Sequence, residues 1–103
     1  MRRLAEVVAE LSIDSTVLMG WIDQRWIRPT LSEGEPLFDE ADLARARLIA
    51  ELRRDFAVVD EAMPVVLNLL DQVYALRKAL NDLTRAIKAC PPEVQDKIAE
   101  NLR

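Results

Sequence analysis

Five carboxylates, Glu33, Glu35, Asp39, Glu40 and Asp42, fall between Thr30 and Ala44 with no lysine or arginine among them. Side chains of this type can hold a hard cation, cap a helix or attract a basic partner. A calcium loop places its oxygen ligands at alternate positions and closes with a bidentate glutamate. These five do not follow that spacing, so no metal site is expected. Asp39 stands where a helix should begin and Asp42 three residues on, which is the arrangement of reciprocal side-chain caps. Glu33 and Glu35 have no such local employment, and they flank Gly34 in a stretch with turn chemistry, SEGEP.

Catalytic chemistry has little to work with. The chain contains no histidine, which removes Ser-His and Cys-His nucleophile pairs and histidine metal ligation. Its single cysteine, Cys90, excludes an internal disulfide and reads as a small apolar packing residue. There is no glycine-rich phosphate loop. Neither enzyme activity nor a cofactor is expected. With 18 acidic against 14 basic side chains the net charge is −4, which opposes general nucleic-acid binding and suits a basic protein partner. The two tryptophans, Trp21 and Trp26, are the remaining candidates for recognition, since exposed tryptophan concentrates at binding hot spots. Core filling is the plainer role for both.

The elements that must position these residues are mostly helical. Leu4, Val7, Val8 and Leu11 recur at helical spacing and predict a first helix over 2–11. After a tight link, Asp14 is placed to cap a second helix with Val17, Leu18, Trp21 and Ile22 on its apolar face. Trp26-Ile27-Arg28-Pro29 favours an extended conformation, SEGEP a turn, and Leu37-Phe38 a return strand. A third helix capped by Asp39 presents Leu43, Ala46, Ile49, Ala50 and Leu52 or Phe56 inward, leaving Arg45, Arg47, Arg53 and Arg54 largely off that face. Asp60 is placed to cap the next helix, with Pro64 tolerated in its first turn.

From there the apolar pattern is the most regular in the chain. Val59, Ala62, Val66, Leu69, Val73, Leu76, Leu80, Leu83, Ile87 and Cys90 alternate steps of three and four, a heptad seam of about four heptads. Val66, Leu69, Val73, Leu76, Leu80, Leu83 and Ile87 are therefore the expected dimerisation residues. A second stripe, Met63, Leu67, Leu70 and Tyr74, accompanies only the first half. Pro91-Pro92 ends this helix, and Val94, Ile98 and Leu102 predict a short last one over about 92–102. The expected organisation is a domain over 1–57, a heptad helix over 58–90 and a terminal helix over 91–103. No apolar run approaches the ~20 residues of a membrane span, and no signal peptide is expected from the start, MRRLAEVVAEL, whose acids interrupt any apolar core. A reducing, cytoplasmic location is expected.

Helix, turn, helix, hairpin, third helix and heptad helix in this order resemble a MerR-type winged-helix regulator. In that family the segment after the turn and the hairpin wing carry arginine and tyrosine that grip DNA phosphates. Here those segments read VLMGWIDQRWIRP and TLSEGEPLF; the aromatic pair with its arginine is missing, and the wing bears acids. FDEADLARARLIAELRRDF and VVLNLLDQVYALRKALNDLTRAI resemble a branch of the family with such losses, the CbpM chaperone modulators. The layout agrees over roughly residues 4–89. The resemblance implies a modulator that occupies the basic J domain of a CbpA-like co-chaperone and inhibits it. It also implies pairing of the long helices, whereas the alternative, a DNA-binding regulator, is opposed by the charge. The residues expected to form the partner surface are Asp14, Asp23, Glu33, Glu35, Asp39 and Glu40, with Trp21 or Leu37 as apolar anchors.

Overall fold

The computed structural model describes residues 1–102. In chain order the elements are β1 (Arg2–Arg3), α1 (Leu4–Leu11), α2 (Ser15–Asp23), β2 (Thr30–Ser32), β3 (Glu35–Phe38), α3 (Glu40–Arg54), α4 (Met63–Lys88) and α5 (Pro92–Asn101). The chain divides into two compact units, one from Met1 to Pro64 and one starting at Val65. The fold is mainly helical with one small sheet, as the pattern predicts.

The first unit is built on a three-stranded antiparallel sheet ordered β1-β3-β2. Arg2 and Arg3, expected in the first helix, instead pair with Phe38 and Leu37. The helix starts at Leu4, where Glu6 accepts a hydrogen bond from the Arg3 backbone N–H at 3.4 Å. In the hairpin, Ser32 faces Glu35 and Leu31 faces Pro36. Glu33 (φ 52°) and Gly34 (φ 82°) form the two-residue turn, both left-handed as such a connection requires. Pro36 is tolerated in the middle strand because its missing N–H would point away from β2, and β1 pairs no further along than Leu37.

The first strand of the hairpin lies later than expected. Residues 26–29 are unpaired, and β2 begins at Thr30. The reason is the end of α2. Arg25 is left-handed (φ 63°), and the Trp26 N–H donates back to the Trp21 carbonyl at 2.9 Å while Arg25 N–H reaches Ile22. This is a Schellman ending. The Trp26 carbonyl accepts from Arg45 Nε at 2.5 Å, so both of its backbone groups are used outside any sheet. Arg45, expected off the inner face, is half-buried and holds α3 to this segment.

Val7, Leu18, Ile27, Phe38, Ile49 and Met63 are the largest fully buried side chains, joined in the core by Trp21, Trp26, Leu43 and Ala46. Phe56 is not among them: it is 71 % exposed. Helix α3 ends at Arg54, and the chain leaves through left-handed Ala57 (φ 52°), with Val58 N–H donating to the Leu52 carbonyl. Phe56 thereby loses helical register, and Leu52 is the half-buried last member of the inner face. A turn over 59–62 precedes α4, with Met63 N–H donating to Val59 and Asp60 carbonyls. Helix α4 thus begins three residues after Asp60, and Pro64 sits in its first turn.

In the second unit, α4 continues as an amphipathic helix to Lys88. Leu69, Val73, Leu76, Leu80 and Leu83 are exposed on it, and Val66 and Ile87 are half-buried. Of the second stripe, Leu67 is buried and Tyr74 exposed. Pro91 breaks the helix and Pro92 opens α5, a position where proline costs nothing. Gln95 Nε2 ties the corner by donating to the Cys90 carbonyl at 2.8 Å.

Candidate partner-binding surface

The wing is the simplest part of the surface to build from its residues. Its two-residue turn puts Glu33 at the tip and Glu35 at the start of the return strand, both exposed. Leu37, one pleat further on, is half-buried between Thr30 on one side and Arg3 on the other. At the root of the wing, Asp39 accepts from Asp42 N–H at 2.8 Å, and Asp42 accepts from Asp39 N–H at 3.1 Å. This reciprocal cap occupies both carboxylates locally and leaves Glu40 beside them exposed. Burial, with the Asp39 charge adding to it, raises the Asp42 pKa above 3.8 despite the backbone hydrogen bond that opposes the shift.

The other predicted acids are set apart from these. Asp14 occupies the cap position of α2, where its backbone carbonyl accepts from Val17 and Leu18. Its carboxylate makes no capping bond and is exposed. Asp23 is at the far end of the same helix, about 14 Å away by helical rise. Along β3, Glu35 and Asp39 are about 13 Å apart by strand rise. The tip pair Glu33 and Glu35, and the root pair Asp39 and Glu40, are therefore each brought together. Asp14 and Asp23 bracket α2.

The arginines near this surface are largely spoken for. Arg45 holds the Trp26 carbonyl, and Arg47 pairs with Glu10 at 2.7 Å, which also pairs with Arg2. Arg25 and Arg28 are exposed at the end of α2 and make no ion pair among the described residues.

Trp21 is 4 % exposed and so is a core side chain. It also borders a cleft of about 520 Å³ lined in part by Gly20, Trp26, Arg53, Asp60 and Glu61. The Arg53 guanidinium lies 5.8 Å from the Trp21 ring centre, and its Nε is 3.3 Å from Asp60 Oδ1. The indole N–H of Trp26 is buried with no hydrogen-bond partner among the described residues. Sequence patterning did not single out Gly20, Arg53 or Glu61 for this region. Gly20 gave the available signal, a glycine inside a short helix where alanine costs about 1 kcal/mol less. A Cβ built on it would have no heavy atom within 4 Å, so packing in this chain does not demand it.

The description "MerR HTH family regulatory protein" fits residues 3–85, from the first strand through most of the long helix. The chain belongs to this family. No curated protein and no solved structure gives a significant match. A MerR-family chain with a helix-turn-helix and a hairpin wing has the frame of a regulator, but the wing here lacks basic residues. Among the described residues no helix is long and apolar enough to cross a membrane, and no group of three or more acidic or cysteine side chains is placed to hold a metal ion.

Proposed function

We propose that this MerR-family chain is a non-enzymatic, cytoplasmic chaperone modulator of the CbpM kind, which binds the J domain of a CbpA- or DnaJ-type co-chaperone and inhibits it. The observation that carries this reading is the wing, whose turn exposes Glu33 and Glu35 while Thr30 to Ala44 contains no cation. A DNA-gripping wing needs the opposite charge, because phosphate neutralisation supplies most of the non-specific affinity. Two arginines that follow the wing, Arg45 and Arg47, are held by internal partners. An acidic hairpin complements a basic helix and steers its approach. The heptad seam of α4 would pair two copies, placing two wings in one molecule. The test is functional: added chain should suppress J-domain stimulation of a DnaK-type ATPase. Undiminished stimulation at saturating chain would refute the proposal.

A DNA-binding regulator is the second reading, favoured by family membership and by exposed Arg25 and Arg28 at the end of α2. A gel-shift series at low salt separates the two. Sequence-dependent, salt-sensitive shifts of genomic fragments would favour the regulator.

A further inference from the structure

We propose that the cleft over Trp21 is a receptor for an arginine side chain of a basic peptide segment, and that Arg53 occupies it as a placeholder in the free protein. The chemistry the cleft accepts is displayed by Arg53 itself. Its guanidinium lies 5.8 Å from the Trp21 ring centre, within the range of a cation–π contact, and is 3.3 Å from the Asp60 carboxylate. Aromatic faces plus carboxylates are the environment a guanidinium favours. Glu61, the second carboxylate on the cleft, is exposed and has no ion pair among the described residues. The cleft therefore holds two anions against one cation, and its charge complements one more cation.

Two further observations fit an occupant from outside. The Arg53 side chain is 37 % exposed and Asp60 64 %, so their pairing is solvent-screened and readily exchanged. Gly20 borders the cleft and has open space where a Cβ would stand. A glycine inside α2, where helix propensity disfavours it, permits close approach of another chain to the helix backbone. Arg54 provides a control for charge alone: it lines the adjoining cleft, which shares Trp21, Arg53, Asp60 and Glu61, but pairs with Asp55 at 3.2 Å rather than with the Trp21 ring.

The inference deepens the chaperone-modulator reading, on which it rests only for the owner of the basic peptide. The test titrates the full chain with a short acetylated Ala/Arg peptide and with the same peptide carrying citrulline for arginine. NMR follows the indole N–H signals of Trp21 and Trp26, the two tryptophans of the chain. The arginine peptide should shift them saturably, and the citrulline peptide should not. Arg53→Ala should bind the arginine peptide about fivefold tighter, since a cation–π contact and a weak ion pair no longer compete. Arg54→Ala changes the net charge equally and should leave affinity unchanged. Gly20→Leu should abolish the saturable shifts, with Gly20→Ala confirming by its melting curve that α2 tolerates a side chain there. Equal binding of both peptides, a loss of affinity in Arg53→Ala, or an equal gain in Arg54→Ala would overturn the inference. A J domain that binds wild type and Gly20→Leu alike would overturn the cleft as its contact. Peptide binding without any J-domain binding would support the cleft and refute the modulator reading.

Discussion

Asp39 and Asp42 make the same bonds that their spacing predicts, because a reciprocal cap depends only on four consecutive residues and a helix start. Asp39→Ala should therefore cost about 1 kcal/mol and lower the melting temperature by roughly 4–8 °C, as a thermal melt would measure. The raised Asp42 pKa adds a pH signature. The folded state holds this proton more tightly than the unfolded one, so the contribution of Asp42 to stability falls as pH rises through the window above 3.8. Denaturant titrations of wild type and Asp42→Asn should diverge in that window, with the variant gaining relative stability as pH increases. A constant difference would show that the carboxyl is not titrating differently on folding. Arg25 tells a different story. Nothing in its side chain announces a left-handed backbone, which follows from the helix ending around it. Arg25→Gly should raise stability by about 0.5–1 kcal/mol in chemical denaturation.

Elements were legible where their period is local and less so where distant partners decide. The α2 stretch, α3 and the hairpin turn announce themselves by apolar spacing, caps and Gly34. The segment 26–29 has strand-forming residues yet pairs with nothing, because Trp26 is claimed by Trp21 behind it and Arg45 ahead of it. Arg2 and Arg3 look helical until Leu37 and Phe38 are available as neighbours. The wing tip joins stability to function. Glu33 is left-handed (φ 52°), a conformation that asparagine adopts more readily than glutamate. Glu33→Asn should thus raise the melting temperature while weakening J-domain binding, measured on the same preparation. A variant that gained stability and kept its affinity would separate the tip charge from recognition.

Over the whole molecule, the heptad period of α4 was visible in the sequence, whereas the Trp21 cleft was not. A period is written in one segment. The cleft draws on Gly20, Arg53 and Glu61 from separate stretches, and only folding brings them to one place. Exposed Leu76 and Leu80, at 69 % and 62 %, leave a seam that a second copy would cover. Leu76→Asp with Leu80→Asp should convert a dimer to a folded monomer by sedimentation velocity, and a wild-type monomer at all concentrations would remove the dimer from the proposal. If the acidic wing on this MerR frame recognises a basic J domain, the affinity must depend on the charge of Glu33 and Glu35. Calorimetric titration of a J domain into wild type and into Glu33→Lys/Glu35→Lys measures that dependence. Saturable binding to wild type is expected, with at least about tenfold weaker binding to the charge-reversed, still folded variant, which is on the order of 1.4 kcal/mol. Equal affinity for both would contradict it.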